Sequence, residues 1–279
     1  MTESRNEASS KHADVRSWVW HAGRGAVIWQ LMFPDEGMVA GLKRAPATRK
    51  ASLFCLDAAS GRVVTDDFVP MIVEGSDSPV GEGWMIGLET THAGLLYCHA
   101  FQPGSPEHQG IWALDLRARR VVWSRPEAVF AANLGTSLLV YRTRLFAGFP
   151  EREYWLIDPM TGEVIEALGT GHERPNLLRM KAVDEVTRQA IMLPEVRPSD
   201  DGPVELIDAA PVTAEGLHVL SLLPGAWRSA VRVRIDGRTV YEGDMSSASP
   251  GPLLNNFLIR GSTLYYIKEN EELIGVVLL

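Results

Sequence analysis

"YWLIDPMTGEVIE" (154–166) decides how this chain is read. An apolar run ends at Asp158, a short turn follows, and a second apolar run begins just after Gly162. Nearly the same phrase occurs as "LFCLDAASGRVVT" (53–65) and "IWALDLRARRVVW" (111–123). Aligning the copies places Asp57, Asp115 and Asp158 in one column, followed by the pairs Val63-Val64, Val121-Val122 and Val164-Ile165. An aspartate that closes a strand turns its carboxylate onto the backbone N–H groups of the next turn. Gly61 and Gly162, four residues further on, suit a left-handed position in a short hairpin loop. Each phrase is therefore a β-hairpin. The middle copy departs from the pattern, because Arg119 stands in the glycine column and costs about 1 kcal/mol if that site is left-handed.

Two weaker copies follow. "VRVRIDGRTVYEG" (231–243) places Asp236-Gly237 between strands, a strong two-residue hairpin signal, and "TLYYIKENEELIGVVL" (263–278) closes the chain. The aspartates are spaced by one period with an insertion, one period and two periods of the ~40-residue four-stranded propeller blade. Further strand-like runs precede each phrase, as in "WMIGLETTHAGLLYCHAFQ" before Ile111. Long stretches of helical period are absent; "RMKAVDEVTRQAIM" (179–192) reads equally as a helix or a hairpin.

The phrase resembles the repeat of pyrroloquinoline-quinone-type, quinoprotein-like β-propellers, with Trp123 at the repeat's terminal tryptophan position. The resemblance implies the fold and no activity, since propellers host many unrelated functions. The expectation is an all-β chain: a polar tail over 1–14, then a single β-propeller over 15–279. Six four-stranded blades are expected, at 15–69, 84–126, 129–169, 176–210, 212–244 and 253–279, with an N-terminal strand completing the last. Five or seven fit the same pattern. The cofactor does not transfer, because the chain is much shorter than the quinoprotein dehydrogenases and has no adjacent cysteine pair.

Composition narrows the function classes. The 279 residues are 46% hydrophobic and 22% charged, ordinary for a soluble globular protein. A formal charge of −8 argues against general nucleic-acid binding, which needs clustered cations to displace counterions. The best basic patch, Arg232 to Arg238, reads as a solvated strand face. Cys55 and Cys98 lie in apolar runs and read as buried free thiols of a reducing compartment. No apolar run approaches the ~20 residues of a membrane-spanning helix. The expected location is cytoplasmic, with no membrane partner.

Candidate chemistry is sparse. His92, His99 and His108 cluster in sequence beside Cys98, but without zinc-type pair spacing; Cys98 and His99, being adjacent, face opposite sides of a strand. Glu89, Asn133, Asn176, Asn255 and Asn256 are placed on inner strands, where some propeller hydrolases hold a divalent cation through oxygen ligands. Asp200 and Asp201 lack the alternating oxygens of a calcium loop. The repeated aspartates are turn makers: chemistry needs one special residue, architecture the same residue in every copy. No nucleotide-binding glycine loop and no G-x-S-x-G elbow occurs. No cofactor and no metal is predicted, and no catalytic residue can be named. The reading is a non-catalytic propeller that acts as a protein-interaction or ligand-binding scaffold, with another protein as the expected partner and loops 70–83, 102–110 and 195–203 as contact surfaces. The alternative is a metal-dependent small-molecule hydrolase or lyase with its site in the central channel.

Overall fold

The computed structural model describes residues 15–73, 75–102, 104–197, 204–220, 225–253 and 257–278. The expected polar tail, Asp200, Asp201, Asn255 and Asn256 lie outside the described residues.

Strand β1 (Arg16–His21) opens the chain. A four-stranded antiparallel sheet follows: β2 (Val27–Met32), β3 (Met38–Ala45), β4 (Lys50–Asp57) and β5 (Val63–Phe68). The second sheet holds β6 (Ile86–His92), β7 (Leu95–Phe101), β8 (His108–Asp115) and β9 (Arg120–Arg125). The third holds β10 (Val129–Asn133), β11 (Leu138–Phe146), β12 (Phe149–Ile157) and β13 (Val164–Gly169). Helices α1 (Glu173–Lys181) and α2 (Glu185–Arg188) interrupt the series, followed by the short β14 (Ile191–Met192). The fourth sheet has five strands: β15 (Glu195–Arg197), β16 (Val204–Ala209), β17 (Val212–Leu220), β18 (Trp227–Ile235) and β19 (Arg238–Ser249). Finally β20 (Phe257–Arg260), β21 (Thr263–Lys268) and β22 (Glu272–Val277) build a sheet in the order β1-β22-β21-β20-β14. The chain is all-β, with the blade construction of a β-propeller. Among the described residues no helix is long and apolar enough to cross a membrane.

All five repeated phrases are hairpins: β4–β5, β8–β9, β12–β13, β18–β19 and β21–β22. The aspartates make the turns as their repetition implies. Asp57 Oδ1 accepts from the Ser60 amide at 3.0 Å, Asp115 Oδ1 from the Ala118 amide at 3.0 Å, and Asp158 Oδ1 from the Met160 and Thr161 amides at 2.7 and 2.9 Å. Gly61 and Gly162 have φ of 68° and 71°, and Arg119 is held at 53° in the same column.

Among the described residues five sheets stand, where the pattern favoured six blades and left five open. The residues assigned to a fourth blade (176–210) begin in α1 and α2; of their strands, β15 and β16 join the sheet that runs to Ser249, and β14 joins the sheet of β20, β21 and β22. Spacing counts residues and not strands, so a helical insertion passes for a blade. Asp184 caps α2 by accepting from the Thr187 amide at 2.9 Å, a start signal readable in "DEVT".

The chain divides into two compact units, one of 19–191 with 270–273, the other of the remaining residues. In the first, both faces of the second sheet are buried. Leu96, Cys98 and Leu114 face Leu42, Leu53 and Cys55 of the first sheet; Leu95, Tyr97 and Ile111 face Leu138, Val140 and Ile157 of the third. Such two-sided burial explains why these strands read as continuous apolar runs. α1 covers the other face of the third sheet, where Leu178 packs with Leu139 and Tyr154. In the other unit, Ala214, Val231 and Val233 pack with Ile259, Leu264 and Val276. Its arginine stretch is neutralised: Arg232 reaches Glu242 at 3.1 Å and Arg234 reaches Glu215 at 2.7 Å.

Candidate functional site

The stripe of β7 that buries Leu95 and Tyr97 continues to His99, on the face turned toward the third sheet. Gly87 on β6 pairs directly with His99, and its missing side chain admits the imidazole: a Cβ there would lie 2.6 Å from the ring. Two residues on, Glu89 occupies the register shift between Leu88 and Thr90. On β8, His108 pairs with Phe101, and a second register shift between Cys98 and Ala100 separates it from Ile111. The result is a compact cluster. Glu89 Oε1 lies 2.6 Å from His108 Nδ1 and 2.8 Å from His99 Nδ1. The two imidazoles stack at 3.6 Å with 9° between their planes, and the edge of Phe101 closes the group.

The three residues differ in exposure. His99 is 3% exposed and the Glu89 side chain 8%, whereas the His108 side chain is 38% exposed. The contact of Glu89 with His108 is a hydrogen bond; the one with His99 has the distance but not the direction of one, so neither ring nitrogen of His99 has a hydrogen-bond partner among the described residues. His108 opens onto a cavity of about 510 Å³, lined also by Gln102, Phe130, Tyr141, Thr143 and Arg152. Two imidazoles and one carboxylate that converge beside a cavity suit general acid–base work or a transition-metal ion.

The cavity's far wall belongs to the β11–β12 hairpin. Its strands pair without interruption from Leu138↔Ile157 to Phe146↔Phe149, around a turn in which Ala147 and Gly148 have φ of 50° and 85°. β10 reaches this ribbon only as far as Tyr141, and β13 only as far as Tyr154. Residues 142–153 therefore stand out as a two-stranded ribbon. Ion pairs Arg142–Glu153 at 2.8 Å and Arg144–Glu151 at 3.6 Å cross its strands. At its tip Leu145, Phe146 and Phe149 are 67–75% exposed.

The structure redistributes the residues singled out in the sequence. Glu89, named as an inner-strand candidate, lies on β6 and meets His99 and His108. His92, grouped with them by sequence, lies at the far end of β6; burial, aided by the charge of Arg188, lowers its pKa. Asn133 ends β10, the first strand of its sheet, and its buried amide donates to Thr90 Oγ1 at 2.8 Å and to the Thr91 carbonyl at 3.1 Å. Asn176 is exposed on α1 and on no strand. Cys55 and Cys98 are free and buried; burial pushes the Cys55 thiol up to about 12 and the Cys98 thiol upward as well.

Sequence reading missed two features. One is the apolar ribbon tip, whose signal was present in "RLFAGFPE" (144–151) as an Ala-Gly turn between aromatics. The other is a polar knot on α2, where Arg188 pairs with Glu185 and donates to Thr90 and Thr91 at 3.0 and 3.2 Å, while Gln189 accepts from the Phe33 amide at 2.8 Å.

No protein-family model matches the chain, and no curated protein matches it. Among solved structures, it is similar to the acylaminoacyl peptidase of Pyrococcus horikoshii at 12% identity and a TM-score of 0.31, covering 88% of this chain and 36% of that one. The chain thus spans about a third of the peptidase. It is similar to the Dos1 propeller at 12% identity and a TM-score of 0.29, covering 90% and 54%. Against BBS1N, crystallised in complex with ARL6DN, identity is 13% and the TM-score 0.28, covering 91% and 97%. Likenesses this distant carry no argument about function.

Proposed function

We propose that this chain is a non-catalytic β-propeller that binds another protein through the ribbon of β11 and β12. One observation carries the reading: Leu145, Phe146 and Phe149 are presented to solvent on a ribbon that, among the described residues, no strand flanks on either side. Nothing in the core requires apolar residues there, and a two-stranded ribbon is marginal in water on its own. Contiguous apolar groups rimmed by charge mark interaction sites. The tip is convex, so the partner offers an apolar groove, and Arg142, Arg144, Glu151 and Glu153 form the polar rim around the contact. The buried free thiols of Cys55 and Cys98 fit a reducing, cytoplasmic setting.

The test compares the wild-type chain with a Leu145→Ser, Phe146→Ser, Phe149→Ser variant. A partner retained by the wild type should be lost by the variant, and the purified partner should bind directly with a Kd at least tenfold weaker for the variant. Unchanged binding by the variant would overturn the reading. So would self-association of the wild type through the same residues, seen in sedimentation as a dimer that the variant does not form.

A further inference from the structure

We infer that Glu89, His99 and His108 form a binding site for one divalent first-row transition ion of the zinc type. This is independent of the ribbon's role in partner binding.

The donor set comes first. Two imidazole nitrogens and a carboxylate oxygen lie within 4.8 Å of one another, the N/O combination that first-row ions take in open sites. Calcium and magnesium prefer all-oxygen shells and are disfavoured here. Next comes the unmet requirement. His99 is almost fully buried, and both its nitrogens are without a hydrogen-bond partner among the described residues. A buried polar group left in that state carries an uncompensated desolvation cost, and a bound ion would supply the missing partner. Local architecture gives the third argument. Gly87 makes room for the His99 ring, and register shifts in β6 and at β8 turn Glu89 and His108 onto the same face. The site is a product of three strands and not a chance meeting of loop side chains.

The donors are drawn together more tightly than an ion would leave them. With bonds of about 2.0–2.1 Å, tetrahedral ligands stand roughly 3.3 Å apart. Glu89 now lies 2.6 and 2.8 Å from the two imidazoles, which stack with 9° between their planes, so binding requires the cluster to open and one ring to swing out of the stack until both nitrogen lone pairs converge on the ion. His108 can supply that movement, because its side chain is partly exposed and faces the cavity. Three protein ligands leave a further coordination position open, and His108 borders the cavity from which an exogenous ligand would approach, the arrangement of an exchangeable rather than a closed structural site.

The experiment uses the untagged full chain. Zn²⁺ is titrated calorimetrically, and Co²⁺ is followed through its visible absorption. One ion per chain should bind, with Co²⁺ bands of a low-coordinate site. His108→Ala should weaken binding by at least about tenfold, and His92→Ala should leave it unchanged. A thermal melt of each variant distinguishes loss of the site from loss of the fold, and His108→Gln replaces the alanine variant if that one melts early. Absence of stoichiometric binding by the wild type would overturn the inference, as would binding that neither His108 variant weakens.

Discussion

At the scale of single residues, the repeated turn shows why one column tolerates so little. Gly162 is held at a φ of 71°, and a Cβ on it would lie 2.7 Å from the Trp123 ring. Trp123 ends the preceding phrase, and its indole N–H donates to the Pro159 carbonyl at 2.9 Å, as does the Tyr97 hydroxyl at 2.7 Å. The last tryptophan of one repeat thus docks on the turn of the next, and the glycine serves both the turn and the dock. Gly162→Ala should therefore cost about 2 kcal/mol or more in urea unfolding, combining left-handed strain with the clash. Arg119 occupies the same conformation without such a contact being required, so Arg119→Gly should gain about 1 kcal/mol in the same assay. The turn carboxylates also set an acid limb. Hydrogen bonds from the Thr161 and Met160 amides lower the Asp158 pKa, and the Ser60 hydroxyl lowers that of Asp57. A depressed folded-state pKa contributes stability that is present above the unfolded value of about 3.9 and is lost as pH falls through the folded one. Asp158→Asn, which keeps an acceptor but removes the titration, should show a shallower fall in melting temperature on acidification below about pH 4.

At the scale of elements, what was legible and what was not divide along the strand period. The three full phrases could be read because their signal is local: an aspartate, a turn and a β-branched pair within thirteen residues. Opposite faces for Cys98 and His99 also followed from the period of two, and the thiol of Cys98 does pack with Leu96 and Leu114 while His99 faces the other way. The partnership of Glu89 with His99 and His108 was hidden, because parity fails at a register shift and the cluster is built across two of them. Likewise the outer end of β11, Leu145 and Phe146, is exposed although it is apolar: once strands leave their sheet, apolar alternation no longer reports burial. That projecting ribbon should be dispensable for folding. Replacing 144–151 with a two-residue Asn-Gly turn should change unfolding free energy by no more than about 0.5 kcal/mol, since the apolar side chains of its tip are mostly exposed. A larger loss in calorimetry would mean that the tip supports the sheet rather than a partner.

At the scale of the whole molecule, the strand count depends on the two chain ends meeting in one sheet. β1 is the outer neighbour of β22, so the last three strands are completed from the N-terminal side, as the sequence pattern implied. Without β1, β22 would present an unpaired edge rich in Leu273, Ile274 and Val276, the kind of edge that pairs with other chains. Two tryptophans fasten the strand. Trp18 is buried above Gly275, with its ring edge-on to Tyr265 at 6.0 Å, and Trp20 stacks on Phe54 at 4.3 Å. Gly275 admits the Trp18 indole because it has no side chain, so the pair is matched in shape. Loss of a buried tryptophan costs about 3–5 kcal/mol, a large part of the stability of an ordinary domain. A chain begun at Ala22 should accordingly melt well below the full chain and elute as aggregate in size exclusion. Trp18→Ala alone should lower unfolding free energy by about 3 kcal/mol while remaining monodisperse, because the backbone pairing that shields β22 is retained. If the truncated chain instead melted with the full one, β1 would be an ornament on the sheet and not the strand that completes it.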